Sequence, residues 1–334
     1  MKQITIKDIA SKLGLATSTV SRALNDHPDI NNDTKNIVNQ LANSLGYKPN
    51  IVARSLKSRT SNQIGVIVPE IRHDFFANAI SGIEEVAYQE GYTVIVSQSN
   101  ENIDREKINL NSMFLNRVAG IIVSMSQATK TVEHFNQLLT KGVKMVFFDR
   151  VPDELDVYKV KIDDEQSAYE AVNYLISKKY KRIVHLAGLQ NLSICRKRKS
   201  GYERALSENG FSSSITSIEG GMHENDGYNS VNELLKRNLI PDAIFAVNDP
   251  VAIGAFRRLK EENIKIPKQV AIIGFSNNPI TEIIDPPLTT VEQPAKEMGK
   301  EAAKILIHQI KGLEVGWDSK DVILKTKLIV RKSA

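Results

Sequence analysis

The chain has 334 residues, 41% hydrophobic and 25% charged, enough for one large or two to three ordinary domains with buried cores, which excludes disordered and fibrous classes. No apolar run reaches the ~18 residues of a membrane helix, and no secretory hydrophobic stretch opens the chain, so a cytoplasmic protein with no membrane partner is expected. The net charge of +5 is wholly local: residues 1–62 hold 9 Lys and Arg against 4 Asp and Glu, and the remainder balances to zero, so a small basic module suited to nucleic-acid phosphates precedes a large net-neutral one.

Thr5-Ile6-Lys7-Asp8 reads as a helix start, with Thr5 as cap and Asp8 completing a capping box. Ile6, Ile9, Ala10 and Leu13 then fall on one helical face, and Gly14 stops the helix. A second helix follows at once. Ala16, Val20, Ala23 and Leu24 share its inner face, while Thr17, Ser18, Ser21 and Arg22 share the outer one. Two short helices joined at a glycine turn make a helix-turn-helix. A third, near 33–45, is expected to bury Ile37, Val38, Leu41 and Leu45 and to support the second as a reading head. An outer face of hydroxyls and one Arg, in the only net-basic region, points to DNA rather than to an ordinary solvated Glu/Lys face.

Residues 50–57 place Val52, Ala53 and Leu56 on one face, but eight residues are too few for an isolated helix in water, so this piece is expected to be helical only when held. The polar string 58–62 reads as a linker. From residue 63, β-branched runs at 64–68, 93–97, 120–123 and 143–148 alternate with helical patterns near 75–90, 103–115 and 131–140. The alternation repeats with runs at 182–187, 215–219, 243–247 and 270–275 and helices near 165–178, 196–209, 227–237 and 251–262. Two α/β units in series imply two lobes with a ligand cleft at their strand ends. Ser124, Asp149-Arg150, Asn248-Asp249 and Ser276-Asn277-Asn278 sit at such ends. No nucleophile elbow, phosphate loop or dinucleotide fingerprint occurs, so no enzyme is expected. Cys195 lacks a neighbouring base and reads as a packed thiol. As the single cysteine it excludes an intrachain disulfide, and the six histidines show no zinc-type spacing, so no metal or other cofactor is expected.

Several strings together resemble the lac and gal repressor family. In the first module they are Ile6-Lys7-Asp8-Ile9-Ala10, Thr19-Val20-Ser21-Arg22-Ala23-Leu24-Asn25, Leu45-Gly46-Tyr47 with Pro49-Asn50, and Ala53-Arg54-Ser55-Leu56. Further on they are Asp74-Phe75-Phe76, Asp149-Arg150, Arg198 with Gly201-Tyr202, Pro241 to Phe245 leading to Asn248-Asp249, Pro287 to Val291, and Leu328 to Arg331. The resemblance implies an all-α helix-turn-helix DNA-binding domain (1–48), a hinge helix and linker (49–62), and a two-lobed α/β domain like periplasmic binding proteins (63–334). It implies DNA contacts from Thr5, Thr17, Ser18, Ser21, Arg22, Asn25, Thr34, Tyr47, Asn50, Ala53 and Leu56, with Leu56 wedged into a minor-groove step. The implied effector site comprises Phe75 as an apolar wall, with Ser124, Asp149, Arg198, Asn248, Ser276 and Gln293 as polar partners and Met222 where relatives often carry an aromatic.

Two departures from the family pattern matter. Ala16 stands where a capping Ser or Thr is usual, at a cost of about 0.5–2 kcal/mol to the helix start. Ser276 stands where an Asp often grips sugar hydroxyls, which with Arg198 retained favours an anionic sugar derivative. A sugar-binding transport receptor would also need such a cleft, but only a ligand-controlled regulator accounts for residues 1–62. No heptad extension follows Arg331, so a homodimer on pseudo-palindromic double-stranded operator DNA is expected.

Overall fold

A computed structural model describes residues 4–47, 61–314 and 316–334. The chain divides into two compact units, Met1–Ser61 and Asn62–Ala334.

The small unit is a bundle of α1 (Ile6–Leu13), α2 (Thr17–Leu24) and α3 (Asn32–Ser44). Its centre is Ile9, Ala10, Val20, Ala23, Val38 and Ala42, so the periodic positions of α1 and α2 do meet. Thr5 caps α1 as expected: its hydroxyl accepts the Asp8 N–H, and Asp8 accepts the Thr5 N–H at 2.8 Å. Gly14 then ends α1 at φ 63°, a left-handed conformation that costs a glycine little. One core expectation fails, because Ile37 is 53% exposed. Burial along α3 is centred on Val38 and Ala42, one turn apart, and Ile37 lies about 100° round the helix from Val38, on the solvent side.

The large unit holds two six-stranded sheets. The first runs β11-β5-β4-β3-β1-β2, the second β12-β10-β9-β8-β6-β7. The first uses Gln63–Val68 (β1), Thr93–Gln98 (β2), Gly120–Val123 (β3), Met145–Phe148 (β4), Tyr158–Ile162 (β5) and Asp321–Leu324 (β11). The second uses Ile183–Leu186 (β6), Thr216–Ile218 (β7), Ala243–Ala246 (β8), Ala271–Ser276 (β9), Thr289–Glu292 (β10) and Lys327–Ile329 (β12). All pairings are parallel except that of β10 with β12. Helices cover both faces of such sheets, so central strands read as unbroken apolar runs: all four residues of β3, β4, β6 and β8 are buried. Each large apolar side chain fully buried there contributes about 1.5–3 kcal/mol.

The lobes are not built in series, which corrects the sequence reading. The chain passes from the first sheet at β5 to the helix Asp164–Ser177, which packs on the second sheet. It returns after β10 into the helix Ala295–Lys311, and crosses a third time between β11 and β12. The returning helix joins the first lobe by lying against Asp74–Gln89. A Cβ on Gly82 would sit 2.1 Å from the Lys296 carbonyl oxygen, and one on Gly299 would sit 2.0 Å from that of Ala79. The two backbones touch through these glycines, and no larger residue fits either position without moving a helix.

Candidate functional site

The outer face of α2 is open. Thr17, Ser18, Arg22 and Asn25 are exposed and Ser21 is half-buried, while Val20 and Ala23 lock the helix to the bundle. Hydroxyls and a guanidinium on a rigid helix can reach base edges and phosphates at once. Asn25 also ends α2, its amide donating to the Ser21 carbonyl at 2.7 Å. Ala16 caps nothing, and no side chain accepts from the first turn of α2. Thr5 stays exposed at the start of α1. Thr34 lies in the first turn of α3, where its N–H donates to Asn31 at 2.8 Å, and Tyr47 packs on the bundle core, which pushes its hydroxyl pKa up. Asn50, Ala53 and Leu56 lie outside the described residues.

In the large unit the strand ends of the two sheets face each other across a cleft. Phe75, Asp149, Arg198, Met222, Asn248, Ser276 and Gln293 all line it. Ser124 does not: it is fully buried after β3, and among the described residues its hydroxyl has no hydrogen-bond partner. The cleft is narrow at its centre, where the cavity measures about 50 Å³. That is room for a few waters, so a sugar-sized ligand needs the lobes to part.

Local folding fixes each polar group. Asp149 follows β4 in a left-handed turn (φ 58°) and is buried. Burial raises its pKa to about 6, against the opposing pull of Arg150 and Arg198. Asn248 caps the helix Asp249–Glu261 by accepting the Val251 N–H at 2.9 Å, and its amide donates to the Met222 carbonyl at 2.8 Å. Ser276 donates to Gln293 Oε1 at 2.9 Å. The loop after Ser276 is held by Asp249, which accepts the Asn278 N–H at 2.7 Å and the Thr290 hydroxyl at 2.6 Å, and by Arg331, which donates to Asn277 at 2.8 Å.

Both arginines of the cleft are already neutralised. The guanidinium of Arg198, 2% exposed, lies 3.7 Å over the Phe275 ring, donates to Asp164 at 2.8 Å and reaches the Val247 carbonyl at 2.6 Å. Arg150 pairs with Glu101 at 2.7 Å. Asp149 is therefore the one carboxylate of this group left over, so the charge balance does not favour the anionic ligand expected from Arg198 and Ser276. Asn278, already read at a strand end, lines the cleft too, whereas Glu101, His73 and His223, which also line it, escaped the sequence reading. Each follows a strand end by a few residues, and extending the strand-end rule into the next loop would have found them. Cys195 is buried against Met222, with its thiol pKa pushed up to about 11 by burial, so it is an inert packed thiol.

Residues 5–50 match the model of bacterial regulatory proteins of the lacI family, and residues 61–331 that of periplasmic binding proteins and the sugar-binding domain of the LacI family. The chain belongs to the lacI family. The HTH-type transcriptional repressor CytR of Escherichia coli K12 is 34% identical over 332 residues, covering 98% of this chain and 96% of the relative. A lac repressor dimer bound to operator and the anti-inducer ONPF matches the fold with a TM-score of 0.86 at 24% identity, covering 99% of each chain. A LacI-family transcriptional regulator from Enterococcus faecium with bound ribose matches at TM-score 0.73 and 28% identity, covering 81% of this chain and 98% of that one. This lacI-family member is thus a transcriptional repressor by class, not an enzyme, with a helix-turn-helix module and a sugar-binding type of domain. Among the described residues no helix is long and apolar enough to cross a membrane.

Proposed function

We propose that the protein is a cytoplasmic homodimeric repressor that reads a pseudo-palindromic operator through α2, and whose operator affinity is set by a neutral sugar or sugar derivative in the cleft. The observation that carries the ligand reading is the convergence of seven separately placed polar and apolar side chains on one cleft between two sheets. The leftover acceptor Asp149, the Ser276–Gln293 pair, the Asn248 amide and the Phe75 wall suit a hydroxylated ring with one apolar face. The ribose bound by the Enterococcus faecium relative supports that class. On DNA, Thr17, Ser18 and Arg22 read bases, Arg22 as the donor fork best suited to guanine, and Leu56 enters the minor groove from a hinge helix that forms on binding.

The effector acts by favouring one lobe arrangement over the other, so its effect and that of DNA are reciprocal. The test is a titration of palindromic operator DNA with and without a panel of neutral sugars, sugar phosphates and uronates. A neutral sugar should change operator affinity by about 5–150-fold, and operator DNA should change the sugar's affinity by the same factor. A tight cleft ligand that left DNA affinity unchanged would refute the switch, and selective binding of phosphates would refute the neutral class.

A further inference from the structure

At the rim of the cleft, the loop after β1 and the start of the helix Glu224–Lys236 bring together Glu70, His73 and His223, with one ligand atom of each within 4.8 Å of the other two. Glu70 and His73 belong to the first lobe and His223 to the second. His73 Nε2 lies 3.1 Å from Glu70 Oε2, and the rings of His73 and His223 stack 6.1 Å apart, 16° from parallel. Sequence spacing could not show this group, because the two histidines are joined only by the meeting of the lobes. The absence of zinc-type spacing does not, then, exclude a metal centre in this chain.

Two imidazoles and a carboxylate are the donor set of a borderline divalent ion, with a fourth position left open for water or a ligand oxygen. Donors about 2.0–2.2 Å from a tetrahedral Zn²⁺ lie about 3.3 Å from one another, so the present cluster needs side-chain rotations of about 1 Å and no backbone rebuilding. Glu70 is 7% exposed, a poor place for a carboxylate without a cationic partner. Its present partner, Arg72, donates to the same oxygen at 2.7 Å from a side chain 74% exposed, and can swing into water when an ion replaces it.

We propose that Glu70, His73 and His223 form a site for a divalent transition ion of the Zn²⁺ class, which bridges the two lobes and holds the cleft closed. Ion binding stands independently of the sugar reading; an effect of the ion on operator affinity would rest on it. Full-length protein stripped of metal with a chelator is titrated with Zn²⁺ by calorimetry and with Co²⁺ by visible absorption, the latter reporting tetrahedral nitrogen and oxygen coordination. One ion per chain is expected. His73→Asn and His223→Asn should each weaken it by at least about 10–100-fold, the range already reached by losing a mere supporting contact to a metal ligand. Arg72→Ala should tighten binding by freeing Glu70. Circular dichroism of each variant verifies the fold, and Glu70→Gln supplies a third ligand test if a histidine variant misfolds. No binding by the parent chain, or binding unchanged in the histidine variants, would overturn the proposal.

Discussion

The reading face of α2 and the ligand cleft solve opposite problems. The face is carried by one eight-residue helix, with Thr17, Ser18 and Arg22 exposed and Ser21 half-buried, its apolar groups tied to a small core. The cleft is assembled from loops far apart in the chain, and its two arginines are buried and already paired with carboxylates, leaving Asp149 over. Polar groups that meet a partner from solution can wait in water, whereas groups buried beforehand must first satisfy one another. Substitutions in the cleft should therefore damage the fold before they report on the ligand, and substitutions on α2 should do the reverse.

The sharpest way to break this contrast is Arg198→Ala. A role for Arg198 in ligand contact alone would leave the free protein intact. Its burial against Asp164 and Val247 instead predicts about 3–5 kcal/mol of lost stability, because an unpaired carboxylate remains inside. Asp164 then resists ionisation further, its pKa being already raised by burial. The lone tryptophan, Trp317, lies in the large unit, so its fluorescence during urea unfolding follows that unit alone. The double variant Arg198→Met with Asp164→Leu should recover most of the loss. An Arg198→Ala chain as stable as the parent would show that the pair carries no structural weight.

Arg22→Ala is the counterpart in the small unit. Its guanidinium is exposed, so the DNA-free protein should melt unchanged, while operator affinity falls by about 1–3 kcal/mol and base preference relaxes at the position it reads. Binding-site selection from a random pool, run on both chains, measures this. A uniform loss across all sequences would make Arg22 a phosphate contact.

These two sites were unequally legible. Helix period and function coincide in α2, so the same eight letters gave both. In the cleft, the alternation of runs and helices gave the strand ends, but the pairing of Arg198 with a residue 34 positions away and of Arg150 with one 49 away follows from sheet order, which no local pattern carries. β5 was missed because Lys159 and Lys161 interrupt its apolar run; Lys161 reaches across to pair with Asp321 on the neighbouring strand β11. The lobe crossings were missed because the helix Ala295–Lys311 was not among the elements read, and the contact that brings it back to the first lobe, through Gly82 and Gly299, joins residues far apart in the chain.

A smaller effect tests the cleft's electrostatics. With the folded pKa of Asp149 raised to about 6, the carboxylate is mostly ionised at pH 7 and largely protonated at pH 5. If it accepts hydroxyls of the ligand, affinity should fall about tenfold between those values, equivalent to about 1.4 kcal/mol. Stability should move the other way. A carboxyl whose pKa is raised on folding destabilises the folded state when ionised, so its contribution is best below the unfolded value near 3.8 and is lost as pH rises through 6. Asp249, also raised to about 6 behind the Asn278 loop, shares the stability effect. Asp149→Asn separates them: ligand affinity should become flat between pH 5 and 7, and a retained slope would assign it to Asp249.

The smallest expected change lies at the start of α2, where the reading face has a defect that the cleft cannot have. Ala16 occupies the capping position with φ −66° and ψ 143°, the extended geometry that a capping serine adopts, and it is exposed. Ala16→Ser therefore adds an acceptor for the first-turn N–H groups without disturbing any packing. It should stabilise α2 by about 0.5–2 kcal/mol, seen as slower hydrogen exchange of the α2 amides in the DNA-free protein. Operator affinity then distinguishes two cases. If packing by Val20 and Ala23 already holds the first turn, free and bound states gain equally and affinity stays constant. If DNA itself orders that turn, the serine removes part of the ordering cost and affinity rises by a similar amount. The second outcome would mean that even the small unit's exposed face is completed by its partner, and the contrast with the prepaired cleft would be sharper still.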